Sequence, residues 1–172
     1  MLVGIISDTH GLLPAKAEWL LAECDHIVFA GDICGPDVLR AVQSIAPTTA
    51  VLGNNDFREY GKSVDRFGYV VLDGMLFTVT HYPHKILPLT QQLLQTPEFK
   101  DFQGEVVAVH GHTHIPEIEK EVPASIANYL ICPGALNYPR TRFGETLAFA
   151  EISNGKVLDL WLSNLDGNRV IS

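Results

Sequence analysis

Short apolar runs divide this chain into segments of two periods. Leu2 to Ile6, residues 27–30 and Thr49 to Leu52 are largely apolar, closed by glycine or polar residues, and read as buried strands. Between them, Pro14 to Glu23 reads as a helix with Pro14 in its first turn and Ala15, Trp19, Leu20 and Leu21 as apolar positions. Pro36 to Ile45 reads as a second helix, with Val38, Leu39, Val42 and Ile45 on one face. This βαβαβ order implies a parallel sheet. Tyr69 to Leu72 and Met75 to Thr80 flank Asp73-Gly74, a strong hairpin signal. A helix over Lys85 to Gln95, a loop over Thr96 to Gly104 and a strand over Glu105 to Val109 follow. The last third is mostly strand: Ile115 to Val122, Tyr129 to Cys132, Thr146 to Ile152 and Val157 to Leu162, with Asn154-Gly155 as a second hairpin turn. Parallel units followed by an antiparallel meander predict an α/β fold of two packed sheets with helices outside.

Five of the apolar runs end on residues that bind metals. They lead to Asp8-Thr9-His10, Gly31-Asp32, Gly53-Asn54-Asn55-Asp56, His81 and His110-Gly111-His112-Thr113-His114. In open α/β sheets ligands collect beyond the carboxyl ends of the strands. Asp8 with His10, and His112 with His114, are two residues apart, so each pair shares a side in extended chain and not on a helix. Carboxylate, imidazole and amide oxygen without thiolate suit Mn²⁺, Fe²⁺, Zn²⁺, Ni²⁺ or Co²⁺ better than Ca²⁺ or copper. Asp8, His10, Asp32, Asn54, His81, His112 and His114 exceed the needs of one catalytic ion, and two ions sharing a carboxylate account for all of them.

Composition narrows the setting. The 172 residues suit one domain, residues 1–172, and 47% hydrophobic content is that of a globular protein. No apolar stretch approaches the roughly 18 residues of a membrane span. No secretory signal pattern follows Met1, so a cytoplasmic protein is expected. Cys24, Cys34 and Cys132 form no CxxC pair and read as free thiols. A net charge of −8 without a Lys/Arg cluster disfavours duplex nucleic acid as a partner.

The ordered motifs DxH, GD, GNxD, single His and GHxH, spanning residues 8–114, resemble those of the calcineurin-like metallophosphoesterases, in particular their small bacterial and archaeal phosphodiesterases. The resemblance implies a four-layer αββα sandwich of two mixed sheets packed face to face. It gives one ion to Asp8, His10, Asp32 and His114, and the other to Asp32, Asn54, His81 and His112, with Asp32 as bridge. It implies two divalent ions, Mn²⁺ first and Ni²⁺, Fe²⁺, Zn²⁺, Co²⁺ or Mg²⁺ as alternatives, and hydrolysis of a small phosphate ester by a water or hydroxide between them. Relatives often form dimers or tetramers.

Three departures from the family pattern bear on mechanism. The larger family often carries His after the GN asparagine to protonate the leaving group; Asn55 stands there and cannot do so near neutral pH. His84 and His110 are the nearest alternatives, and Asp56 is expected to orient Asn54 or a ligating His. Tyr82 follows His81 where the family often has Gly, and would narrow the pocket with Pro83. Cys132-Pro133-Gly134-Ala135 stands where relatives tend to have Asn-Pro-Gly-Ser, leaving Arg140 to hold a phosphate oxygen. Candidate catalytic residues are therefore Asn54, Asn55, Asp56 and His81, and candidate substrate contacts Asn55, His84 and Arg140. Trp19 is expected in the core, Trp161 half-buried or at a subunit contact, His26 in solvent, and Phe57, Arg58 and Tyr60 on the pocket rim. A phosphodiesterase is the leading reading. The alternatives are a phosphomonoesterase and a scaffold on the same fold, the role it has as a retromer subunit in eukaryotes.

Overall fold

The structure, a computed structural model, describes residues 1–57, 59–120, 122 and 126–171. A six-stranded sheet runs in the order β11 (Arg169–Ile171), β10 (Lys156–Asn164), β9 (Thr146–Ser153), β1 (Leu2–Ile6), β2 (His26–Phe29), β3 (Thr48–Ala50). A five-stranded sheet runs β4 (Phe67–Leu72), β5 (Met75–Thr80), β6 (Val106–Val109), β8 (Tyr129–Cys132), β7 (Glu117–Glu119). Both are mixed: β1, β2 and β3 are parallel, as are β5, β6 and β8, while β9 and β4 pair antiparallel to β1 and β5.

Side-chain alternation builds four layers from these two sheets. Val3, Ile5, Val28, Phe77, Val79, Val107 and Val109 face one another between the sheets. Ile6, Ile27 and Phe29, of opposite parity, pack under α1 (Ala15–Leu21) and α2 (Pro36–Ile45). Leu76, Val106 and Ala108 pack under α3 (Pro83–Leu94). The helices lie outside, as the βαβ order requires. The strands ending at Ile6, Phe29, Thr80 and Val109 are adjacent parallel pairs in facing sheets, so their carboxyl ends meet at one edge of the sandwich.

Several expectations shift. Helix α3 begins two residues early, because Pro83 suits the first helical position. The strand expected over Ile115 to Val122 shortens to Glu117–Glu119, and β11 carries no period of its own and forms as an addition to β10. Trp19 is not core: α1 buries Ala17 and Leu21, one turn apart, which turns Trp19 to the opposite side at 76% exposure. His26 is not solvated: it opens β2, is buried, and its Nε2 lies 3.0 Å from Thr49 Oγ1. Trp161 is half-buried, stacked on Phe149 with ring centroids 5.3 Å apart.

Truncating Phe77, fully buried between the sheets, should cost about 3–5 kcal/mol. Trp19→Gln should change stability by no more than about 0.5 kcal/mol. Urea unfolding of the two variants beside the parent checks both; a costly Trp19→Gln would mean that α1 packs differently.

Candidate metal centre

Sharp exits from the strands place the site. Asp8, His10, Asp32, Cys34, His112, His114 and Tyr138 all have positive φ, between 44° and 72°. Non-glycine residues seldom adopt this left-handed conformation, and its concentration here marks backbone held against its preference. The turns are locked to one another: the Asp8 amide donates to Gly31 O and the His10 amide to Asp32 O, each at 3.0 Å. Two glycines are needed for closeness: a Cβ at Gly53 would overlap the Asp32 carboxylate, and one at Gly111 would overlap Ser7 Oγ and lie 2.9 Å from Asp8 Oδ2.

The side chains converge with their acceptors inward. Asp8 Oδ2 receives the Ser7 hydroxyl at 2.5 Å and the His112 amide at 3.0 Å. Asp8 Oδ1 is buried and has no hydrogen bond among the described residues. Its near neighbour His114 Nε2, at 3.0 Å, is out of line for one, and His81 Nε2 lies 4.0 Å away. Both imidazoles have the other nitrogen against a backbone carbonyl, His81 Nδ1 at 2.8 Å from Ala30 O and His114 Nδ1 at 2.8 Å from Tyr138 O. Those carbonyls require N–H at Nδ1, so the neutral rings point Nε2 lone pairs at Asp8. Asp32 reaches both sides: Oδ2 is 3.8 Å from His10 Nε2 and Oδ1 is 3.5 Å from His81 Nε2. Asn54 Oδ1 lies 3.1 Å from His81 Nε2 and 2.9 Å from His112 Nδ1. Among the described residues, two groups of metal-capable ligand atoms result, Asp8–His10–His114 and Asp8–Asp32–His81. Lone pairs facing lone pairs around a buried carboxylate oxygen without a donor is an arrangement that cations satisfy.

The profile of the calcineurin-like phosphoesterase superfamily domain matches residues 1–155. The chain belongs to this family. A probable metallophosphoesterase of Methanothermobacter thermautotrophicus is 31% identical over 151 residues, covering 81% of this chain and 80% of that protein. In fold the chain is similar to Entamoeba histolytica Vps29 in complex with Zn²⁺, with a TM-score of 0.72 and 19% identity over 100% of this chain and 97% of that one. An archaeal phosphodiesterase shares the fold with a TM-score of 0.61 and 21% identity, over 94% and 99% of the two chains.

The other candidates are placed unevenly. Asn55 donates from its amide nitrogen to Asp32 Oδ2 at 2.6 Å and from its backbone to Oδ1 at 2.9 Å, so it holds that carboxylate. Among the described residues Asp56 makes no hydrogen bond to Asn54 or a histidine. It accepts the amides of Ile33, Cys34 and Gly53 and the hydroxyl of Tyr60, tying the β2 and β3 exits together. Tyr60 is thus a brace and not a rim residue, while Phe57 is 77% exposed and Arg58 lies outside the described residues. His10, Asp32, Asn54, Asn55, His112, His114, Tyr138 and Arg140 line a cleft of about 290 Å³. Tyr82, His84 and His110 are not in that lining: His110 is buried against Gly111 O, and His84 is exposed beyond the Tyr82 ring. A larger cleft of about 590 Å³ beside Lys16, Arg142 and Asp166 holds none of the seven candidate ligands. Sequence reasoning missed Ser7 and Asn137, whose amide donates to Thr9 O at 2.6 Å and Leu12 O at 2.8 Å; an isolated Ser or Asn carries no periodic signal.

Electrostatics follow from this packing. Burial pushes the Asp8 carboxyl up, but contact with His114, the charge of His81 and the Ser7 hydroxyl outweigh it and hold the carboxyl below its ordinary value. Contact with Asp8 raises the His114 imidazole, against burial. Burial lowers His112 and His110. Without an ion, the 3.0 Å contact with the Asp8 carboxylate favours the protonated form of His114 as an ion pair, not as an aligned hydrogen bond. That pairing stabilises the fold below the ordinary imidazole pKa and is lost as pH rises through the raised value.

An ion must displace this proton, so Zn²⁺ or Mn²⁺ affinity should fall as pH drops below that value, with proton release on binding. Calorimetry in two buffers of different ionisation enthalpy measures the release, which His114→Ala should reduce; equal release in both proteins would exclude His114 as the titrating group. Asp56→Ala leaves three backbone amides without an acceptor and should cost about 3 kcal/mol, read by thermal unfolding of metal-free protein.

Proposed function

We propose that this protein is a dinuclear metal-dependent phosphodiesterase that hydrolyses one P–O bond of a small phosphodiester, with Mn²⁺ as its activating ion. The observation that carries this reading is Asp8 Oδ1, buried without a donor and faced by the backbone-held imidazoles of His81 and His114. One ion is assigned to Asp8, His10, Asp32 and His114, and the other to Asp32, Asn54, His81 and His112. Bound there, two divalent ions supply Lewis-acid polarisation of the phosphoryl group and acidify water near neutral pH.

The chain does the rest by orientation. Ala30 O and Tyr138 O hold the two imidazoles with Nε2 inward. Asn55 fixes both oxygens of Asp32, which keeps that carboxylate aimed along the shared edge. Arg140, in the cleft lining, supplies a fixed positive charge for the phosphoryl oxygens. The amide of Asn55, bonded to Asp32, is too weak an acid to protonate a departing alkoxide, so esters with good leaving groups should react fastest. The archaeal phosphodiesterase of like fold supports the diester reading. A metal-binding scaffold is the second reading, and the likeness of fold to Vps29 favours it.

Metal-stripped protein reloaded with Mn²⁺ should hydrolyse bis-p-nitrophenyl phosphate faster than p-nitrophenyl phosphate, with His112→Ala slower on the order of 100-fold. Faster monoester turnover would favour a phosphomonoesterase. Silence on both esters with Mn²⁺, Ni²⁺, Fe²⁺ and Zn²⁺, in folded metal-loaded protein, would favour the scaffold.

A further inference from the structure

The cleft is built asymmetrically. On the side of His81 and His112 stands Tyr82, its ring centroid 5.6 Å from the first imidazole and 6.1 Å from the second. Its hydroxyl receives Arg66 Nη1 at 2.7 Å, and the same nitrogen reaches Gly53 O at 3.3 Å. Tyr82 is thereby fixed to the β3 exit, yet it contributes nothing to the cleft lining. Tyr138, beside His10 and His114, and Arg140 do line it.

Tyr138 is poorly explained by folding. Its side chain belongs to a residue 73% exposed, so it adds little burial. Its φ of 57° is a conformation that glycine adopts freely and a bulky residue adopts at a cost. Its carbonyl is tied to His114 Nδ1, so the residue has a fixed place beside the candidate ligands. Its ring meets His10 edge-on, with centroids 5.4 Å apart and planes 73° apart, which supports one part of the ring and leaves the rest to solvent. An exposed, positioned aromatic ring at the lip of a phosphate-ester cleft is a stacking platform.

We propose that Tyr138 seats a flat aromatic group carried on one arm of the substrate, while Arg140 faces the phosphoryl oxygens. The inference rests on the phosphodiester reading above and narrows its substrate class to diesters with an aryl or nucleobase-bearing arm. Stacking of this kind changes affinity on the order of tenfold.

The test uses phosphonates, whose C–P bond resists hydrolysis. Benzylphosphonate, cyclohexylmethylphosphonate and methylphosphonate are titrated calorimetrically into Mn²⁺-loaded protein, its Tyr138→Ala variant and its Tyr138→Phe variant, after matching metal content and thermal unfolding. Benzylphosphonate should bind the parent on the order of tenfold more tightly than its saturated match. Tyr138→Phe should keep that preference and Tyr138→Ala should lose it. Equal affinities in the parent, a preference that survives Tyr138→Ala, or equal weakening of all three ligands by Tyr138→Ala would overturn the proposal; the last would make Tyr138 a positioning residue for His114. Bis-p-nitrophenyl phosphate turnover on the same preparation separates the two readings. An aromatic preference without turnover sinks only the catalytic reading, and turnover without the preference sinks only the platform.

Discussion

A buried carboxylate oxygen with no donor governs this molecule. Asp8 Oδ1 sits where β1 leaves its sheet, among imidazole lone pairs and the Asp32 carboxylate. Collecting acceptors in this way is unfavourable for a polypeptide alone. The chain tolerates it because each group is held by a second bond that points it inward: Ser7 and the His112 amide on Asp8, Asn55 on Asp32, and the carbonyls of Ala30 and Tyr138 on the two histidines. The left-handed turns at Asp8, His10, Asp32, His112 and His114 are part of the same arrangement, since an ordinary strand exit would send these side chains elsewhere.

The two sheets matter to this arrangement as a frame. Each contributes an adjacent parallel pair of strands, β1 with β2 and β5 with β6, and the apolar layer between them fixes the distance across the cluster. Val28 and Val79 lie in that layer only a few residues before Asp32 and His81. Packing and ligand placement are therefore one problem, and a defect between the sheets would reach the cluster before it reached the helices.

Much of this was legible in the sequence, because strand period and motif coincide. An apolar run says where a strand ends, and the residue after it says what the end offers. All seven candidate ligands lie at one edge of the sandwich. The two hairpins at Asp73-Gly74 and Asn154-Gly155 also formed as their turn residues dictate. What stayed hidden depends on partners distant in sequence. Asp56 bonds Ile33 and Cys34 of the β2 exit as well as its neighbours Gly53 and Tyr60, and no local pattern reveals that distant half of its role. The short helix α1 gave too few turns to decide which side Trp19 would take. Strand β11 is held by its pairing with β10, not by its composition.

The backbone of Asp8 is closed from far along the chain. Asn137 donates its amide to Asp8 O, Leu136 donates to Ser7 O, and β1 itself is paired along one edge with β9, residues Thr146–Ser153. During synthesis, the first residues of the cluster therefore wait for nearly all of the remaining chain before their loop is fixed. A fragment ending before Leu136 carries all seven candidate ligands and lacks the backbone bonds from Leu136 and Asn137 that close the Asp8 turn. The order of the chain thus separates the emergence of the candidate ligands from the closing of the turn that carries the first of them.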